Sequence, residues 1–169
     1  MGLTMNIKRE KERVLLEMRK YFGSDTKRIN HAKTVLKFTE EILKHENGDC
    51  NVVMLSAILH DIGIKECEKK YRSSSGQLQE KEGPPIAREI LHRLKIKKDV
   101  IEEVCKIIAS HHSPGEVDSI NFKILWDADW LVNLKDEVAL KDKEKLKNTI
   151  DKVFLTRTGK EIAEKIYLL

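Results

Sequence analysis

Apolar residues recur at helical spacing along almost the whole chain, and no segment alternates apolar and polar residues as a half-buried strand does. In the segment 25–45, for example, Val35 and Ile42 follow His31 at spacings of four and eleven residues. These residues share one face of a helix, so His31 lies on the face predicted to be buried. The pattern predicts an all-α fold, a single-domain bundle of about seven helices.

Three interruptions of the pattern indicate where helices begin and end. Residues 65–79 are polar and contain Ser73-Ser74-Ser75-Gly76, which predicts one long loop. Gly83-Pro84 is expected to open the next helix, because proline suits a first helical turn. Near the C-terminus, Thr158-x-x-Glu161 matches a capping box that would start the final helix.

Composition narrows the class of protein. The chain has 169 residues, which suits one domain with a substantial core. Its net charge of +4 and its 5% aromatic content disfavour a partner that is a nucleic-acid polymer, since such binding needs a basic stripe and stacking rings. No apolar run is long enough to cross a bilayer, so no membrane association is expected. The three cysteines form no C-x-x-C pair and the N-terminus carries no apolar targeting segment, so we expect a reduced, cytoplasmic protein. No feature of the sequence indicates an oligomeric state.

Histidines and aspartates occupy places where the chain is otherwise apolar. They are His31, the pairs His60-Asp61 and His111-His112 at the ends of two apolar helices, and Asp127 and Asp129 within the apolar segment 124–132. A bare carboxylate in such surroundings costs several kcal/mol unless a cation or strong hydrogen bonds compensate it. A divalent metal ion held by imidazoles and carboxylates would provide that compensation.

The ordered set His31, His60-Asp61 and Asp129 resembles the H…HD…D signature of the HD-domain superfamily of metal-dependent phosphohydrolases. The resemblance extends to Ile62-Gly63-Ile64-Lys65 and to Asp127-Ala128-Asp129-Trp130-Leu131, which is similar to the family's ADxL motif. We expect one helical domain, 1–169. The resemblance covers its core, about residues 25–135, and the helical segments 1–23 and 140–169 are additions to that core. It implies that His31, His60, Asp61 and Asp129 bind a divalent transition metal, which could be Mn, Fe, Co, Ni or Zn.

Two features of the implied site stay open. The family's ligand is the aspartate that follows alanine, here Asp129, but Asp127 also shares a helical face with apolar residues. Some relatives hold two metals with additional histidines, and His111-His112 resembles one such pair. Where those relatives have a histidine before a Gly-Pro-like helix start, this chain has Glu82. Glu82, His111 and His112 are therefore candidates for a second metal or for substrate.

The resemblance implies hydrolysis of a phosphorylated small molecule, with a nucleotide favoured, by attack of metal-activated water on phosphorus. Asp61 would also orient or deprotonate the water, and Lys65 is the first candidate for a catalytic phosphate contact, followed by Arg72 and Arg88. Phosphomonoesters and phosphodiesters both fit. The alternatives are a di-iron oxygenase-like protein, and a non-catalytic module that binds a nucleotide or partner and keeps a structural metal.

Overall fold

The structure, a computed structural model, describes residues 2–169, with side chains from residue 5 onward. Within these residues the chain forms nine α-helices, which confirms the all-α class. The helices are α1 (Gly2–Phe22), α2 (Thr26–Ile42), α3 (Cys50–Leu59), α4 (Ile64–Tyr71), α5 (Gly76–Arg93), α6 (Lys98–Ile108), α7 (Ile120–Glu137), α8 (Lys143–Val153) and α9 (Arg157–Tyr167). No helix among the described residues is both long enough and apolar enough to cross a membrane.

Helix α3 forms the centre of the bundle. It begins where the Asp49 carboxylate accepts hydrogen bonds from the backbone N–H groups of Asn51 and Val52, which satisfies two free donors of the first turn. Every residue in the range 52–59 is buried, because α1, α2, α6 and α7 all pack against this helix. A helix buried on all sides is apolar on all sides. Its C-terminal end, where His60 and Asp61 lie, is therefore held rigidly inside the bundle.

The prediction of one long loop over residues 65–79 is wrong. Helices α4 and α5 together occupy that segment except for residues 72–75, which separate them. Ile64 and Cys67, three residues apart, face the interior and anchor an otherwise polar helix. Arg72 ends α4 in the left-handed conformation, with a φ of 53°. Tertiary burial of one narrow face outweighed the polar composition on which the loop prediction depended.

The predicted helix start at Gly83-Pro84 is also wrong, because α5 begins at Gly76 and carries Pro84 and Pro85 in its interior. The reason lies in a close approach between α5 and the turn after Asp61. A Cβ atom at Gly63 would lie 2.7 Å from the backbone nitrogen of Gly83. Gly63 is thus required by packing, and α5 passes directly over the turn that carries Asp61.

The capping box predicted at Thr158 is wrong, because the residue that caps the final helix lies two positions earlier in the chain. Thr156 caps α9, since its side chain accepts a hydrogen bond from the backbone N–H of Gly159. The Thr158 hydroxyl instead donates to Glu46 Oε1, at 2.8 Å. The final helix therefore begins at Arg157 and is tied to the segment after α2.

Candidate metal centre

Four side chains from three helical regions converge on one point inside the bundle. His31 comes from α2, His60 caps the C-terminus of α3 and is followed by Asp61, and Asp129 lies in α7. Helix α2 packs against both α3 and α7, so the three regions bring their polar side chains to a shared position. The predicted ligand set His31, His60, Asp61 and Asp129 is thus gathered by the fold.

The distances between these side chains are those expected of ligands that surround an ion. His31 Nε2 lies 3.2 Å from His60 Nε2 and 3.0 Å from Asp129 Oδ1. Asp61 Oδ2 lies 3.5 Å from His31 Nε2 and 3.4 Å from His60 Nε2, and Asp129 Oδ1 lies 3.6 Å from His60 Nε2. Ligands bound at about 2.0–2.2 Å from a common metal ion are separated from one another by about 3.0–3.6 Å. The residues present therefore fit a transition-metal ion.

Hydrogen bonds orient the two buried imidazoles for coordination through Nε2. His60 Nδ1 lies 2.8 Å from the Ala57 carbonyl oxygen, and His111 Nδ1 lies 2.6 Å from that of Ile108. Each Nδ1–H donates to a carbonyl three residues earlier, which leaves Nε2 with a free lone pair. His111 Nε2 is buried and has no hydrogen-bond partner among the described residues. A buried nitrogen without a partner is costly, and a metal ion would satisfy it.

The same side chains strongly perturb one another's ionisation. Burial disfavours the charged form of His60, but Asp61 and Asp129 outweigh burial and raise the pKa of His60 to about 9. Burial also disfavours the carboxylate of Asp61, yet His60 and His111 lower the pKa of Asp61 to about 2. Hydrogen bonds from His31 and His60 hold the pKa of Asp129 well below its usual range, against the effect of burial. In the metal-free protein, the protonated imidazole of His60 therefore offsets the negative charge of the Asp61 and Asp129 carboxylates.

We expect the metal-free protein to lose stability as the pH rises from about 6.5 to about 9. The folded-state pKa of His60 lies above the ordinary value of 6.5, so its stabilising charge is complete below pH 6.5 and disappears as pH approaches 9. Thermal unfolding of chelator-treated protein across this range measures the effect. Metal-loaded protein should lack the decline, because an ion then compensates the carboxylates.

Two variants separate His60 from other groups that titrate in this range. The decline should vanish in His60→Gln and persist in His92→Gln, where the histidine replaced is an exposed residue of α5. A chelator-treated wild-type protein with a constant Tm between pH 6.5 and 9 would contradict the assignment.

A second group of potential ligands adjoins the first. Asp61, His111 and His112 each offer one ligand atom within 4.8 Å of the others. Asp61 Oδ1 lies 3.7 Å from His111 Nε2, while Asp61 Oδ2 faces His31 and His60, so the carboxylate lies between the two groups. Burial and the neighbouring His111 lower the pKa of His112 to about 4, which keeps this imidazole neutral. A neutral imidazole is the form that binds metal.

Glu82 is not part of either group, and the prediction that it replaces an imidazole ligand is not supported. Lys70 Nζ donates to its Oε2 at 2.7 Å, and the Tyr71 hydroxyl donates to its Oε1 at 2.8 Å. Both carboxylate oxygens are therefore used between α4 and α5. The acid that does contact the His111-His112 turn is Glu80, which accepts hydrogen bonds from the His112 backbone N–H and the Ser113 hydroxyl. Nothing in the sequence distinguished Glu80 from other surface acids.

The structure also separates the two aspartates of α7. Asp129 faces the cluster, and Asn133 Nδ2 donates to its Oδ1 at 2.9 Å. Asp127, the alternative ligand, is fully buried on another face and accepts hydrogen bonds from the Leu155 N–H, the Thr156 N–H and the Thr156 hydroxyl. Burial raises the pKa of Asp127 to about 6, against the effect of these hydrogen bonds. Asp127 therefore anchors the start of α9 and lies outside the cluster.

A cavity of about 560 Å³ opens onto the cluster, and its volume is typical of a small-molecule site. Its lining includes His31, Asp61, His112 and Asp129 from the two groups, the polar residues Thr34, Gln79 and Asn133, and the basic residues Lys27, Arg28 and Lys135. The basic residues were not predicted from the sequence. Lys27 and Arg28 lie about one helical turn before His31, and Lys135 lies just under two turns after Asp129. These spacings from the predicted ligands could have indicated them.

The three cations predicted to contact phosphate lie elsewhere. Lys65 Nζ donates to the Tyr21 carbonyl at 2.9 Å and lies over the Tyr21 ring, so it holds the end of α1. Arg88 forms a two-pronged ion pair with Glu102 on the exposed surface between α5 and α6. Arg72 is the exposed residue that ends α4. None of the three lines the described cavity.

Comparison with known proteins identifies the family of the chain. The family model for the HD domain matches residues 28–134. Among solved structures, the chain is similar to a predicted HD superfamily hydrolase from an uncultured Thermotogales bacterium, with a TM-score of 0.71 and 26% sequence identity over 99% of this chain and 92% of that chain. No protein of curated function matches the chain significantly. The resemblance read from the motifs is confirmed, and the chain belongs to the HD-domain superfamily of metal-dependent phosphohydrolases.

Proposed function

We propose that this protein hydrolyses the phosphate ester of a small molecule, with nucleotides as the favoured class, and that it requires a divalent transition metal. The observation that carries the proposal is the convergence of His31, His60, Asp61 and Asp129 at distances of 3.0–3.6 Å beside a cavity lined by basic residues. In the reaction the oxygen of water bonds to phosphorus, the bond from phosphorus to the ester oxygen breaks, and the departing alcohol gains a proton.

A metal bound by the cluster would supply Lewis-acid chemistry, which lowers the pKa of water and offsets negative charge on the phosphoryl oxygens. The protein's own residues perform three further tasks in this proposal. Asp61 acts as a carboxylate in this proposal, and it accepts a hydrogen bond from the attacking water and orients it. Asn133 holds the Asp129 carboxylate in place. The hydrogen bonds of His60 and His111 to main-chain carbonyls hold their rings with Nε2 towards the cluster.

The cavity supplies the binding charge for a phosphate group. Lys27 and Arg28 lie in the first turns of α2, and Lys135 lies in the last turn of α7, so cations border the cavity from two helices. Asp25 and Glu68 hold the Arg28 guanidinium in place. Lys27 and Lys135 are exposed and reach the cavity with flexible side chains. These three residues replace Lys65, Arg72 and Arg88 as the proposed phosphate contacts.

The test combines metal analysis with a substrate screen. We expect protein purified without chelators to contain one or two transition-metal ions per chain by elemental analysis. It should release phosphate from at least one class of phosphate ester, lose that activity on chelation, and recover it with one of Mn, Fe, Co, Ni or Zn. A metal-loaded protein that binds nucleotides but hydrolyses no ester, and unfolds on chelation, would instead indicate the non-catalytic module.

The second group of ligands, Asp61, His111 and His112, favours one further candidate. A site for two ions that shares a carboxylate also suits two irons that activate dioxygen. Two irons per chain, together with dioxygen consumption and no release of phosphate, would favour this oxygenase-like function over hydrolysis.

A further inference from the structure

A second cavity, of about 240 Å³, adjoins the candidate metal centre. Its walls include His112, Asp129 and Asn133, which also line the larger cavity, so the two spaces meet beside the cluster. The remaining walls are His111, Trp126, Trp130 and Glu137. We call the part formed by Trp126, Trp130 and Glu137 the tryptophan groove. Asn133 lines both spaces, so the groove lies next to the larger cavity at this residue.

The two indole rings of the groove are held in the wall of a cavity and are only partly buried. Trp126, Trp130 and Glu137 lie on one face of α7, at spacings of four and eleven residues from the first. The ring centroids of the two tryptophans are 6.1 Å apart, with 51° between the planes. Trp126 Nε1 donates to the Val153 carbonyl at 2.8 Å, which holds that ring. Such pre-ordered aromatic surface suits a planar ring of a ligand.

Charge distinguishes the two spaces. The larger cavity is lined by the cations Lys27, Arg28 and Lys135 together with the carboxylates Asp61, Asp129 and Asp136, whereas the described lining of the smaller cavity contains no lysine or arginine and ends at the carboxylate of Glu137. Side-chain cations that can pair with a phosphate therefore lie in the larger cavity and not in the groove. Within the side chains described, imidazoles are the only rings that line the larger cavity. An uncharged planar group is best accommodated by the groove.

We propose that the tryptophan groove binds the base of a nucleoside monophosphate, with Trp130 as the stacking surface, while the phosphate lies in the larger cavity beside the metal centre. This inference rests on the proposed phosphohydrolase function and names the substrate class of the same site. Trp130 directly follows the proposed ligand Asp129, so the base and the metal would be bound by neighbouring residues of one helix. Stacking on an aromatic side chain is tolerant of base identity, so all common bases should be accepted.

Kinetics with matched substrates tests the inference. We expect wild-type protein to hydrolyse nucleoside 5′-monophosphates with a higher kcat/KM than ribose 5-phosphate, which has the same ester but no base. Trp130→Ala should lower this ratio by roughly 5- to 150-fold, the factor expected from loss of one stacked base. Trp130→Phe should recover most of the ratio because it retains a ring. A ratio that is unchanged in Trp130→Ala would overturn the inference.

Fluorescence gives a readout that does not depend on turnover. The chain contains 2 tryptophans, Trp126 and Trp130, so its indole emission reports on the groove alone. We expect a nucleoside phosphonate, in which carbon replaces the ester oxygen, to quench this emission in metal-loaded protein, and ribose phosphonate to leave it unchanged. Hydrolysis of both substrates at equal efficiency without quenching would overturn the base site while the proposed function stands. Quenching without hydrolysis of any ester would support the base site while the proposed function fails.

Discussion

We expect the Asp61→Ala variant to hydrolyse its phosphate ester roughly 1000-fold more slowly than the wild-type protein, which corresponds to about 4 kcal/mol of lost transition-state stabilisation. Asp61 is proposed both to bind the metal and to orient the attacking water, and its Oδ2 lies within 3.5 Å of two imidazole nitrogens. Alanine removes both roles at once. Its small volume also leaves the packing of Gly63 against Gly83 untouched.

Steady-state phosphate release, with metal content measured on the same preparation, provides the comparison. Asp118→Ala is the matched control, because that side chain is 82% exposed and pairs only with Lys123 among the described residues. The control should retain wild-type kcat/KM and metal content. If Asp61→Ala stays folded by circular dichroism and hydrolyses the ester at the wild-type rate, Asp61 has no part in catalysis.

The second large effect should appear at Asp127, and it should affect stability while leaving the metal content intact. Asp127→Ala removes the acceptor for three donors, the Leu155 N–H, the Thr156 N–H and the Thr156 hydroxyl. Leaving such groups buried and unpaired costs about 1–3 kcal/mol, and the start of α9 also loses its anchor. We expect a loss of roughly 3 kcal/mol in the free energy of unfolding, or about 6–12 °C in Tm for a domain of this size.

Asp129→Ala serves as the opposite case, because the two positions are separated by one residue only. Elemental analysis below the melting transition should find wild-type metal content in Asp127→Ala and little metal in Asp129→Ala. Differential scanning calorimetry of the chelator-treated proteins should show the larger drop in Tm for Asp127→Ala. If Asp127→Ala loses metal while still folded, the assignment of Asp129 as the ligand must be reversed.

The members of the cluster could be proposed from the sequence because they interrupt apolar helices and resemble, in order, the signature of the family. His31 lies on an apolar helical face, and His60 and Asp61 come where an apolar helix ends before Gly63. Burial of the apolar faces determines how each helix is rotated about its axis. A polar residue on an apolar face in the sequence therefore also faces the interior of the folded protein. The spacing alone could not distinguish Asp127 from Asp129. That distinction depends on donors from residues 155 and 156, which are distant in sequence.

Most predictions that the structure does not support concern contacts between helices. Lys65 follows the HD turn, but its ammonium group is taken up by the carbonyl of Tyr21 at the end of α1. Glu82 has the right chemistry for a ligand, but Lys70 and Tyr71 occupy its oxygens. Helix α4 escaped detection because its buried face is only a few residues wide. Polar side chains acquire their partners from the tertiary structure, and periodicity carries no information about which partner that is.

The attachment of α9 to α7 bears on how the chain can be divided. Residues 28–134 match the family model, yet three groups of α7 find their hydrogen-bond partners beyond that range: Asp127 at residues 155 and 156, the Trp126 indole at Val153, and the Leu131 carbonyl at the Tyr167 hydroxyl. A fragment cut at the end of the family match would expose these groups on the helix that also carries Asp129. The last thirty residues thus stabilise α7 through these hydrogen bonds. A shortened chain would lose rigidity at the candidate metal centre.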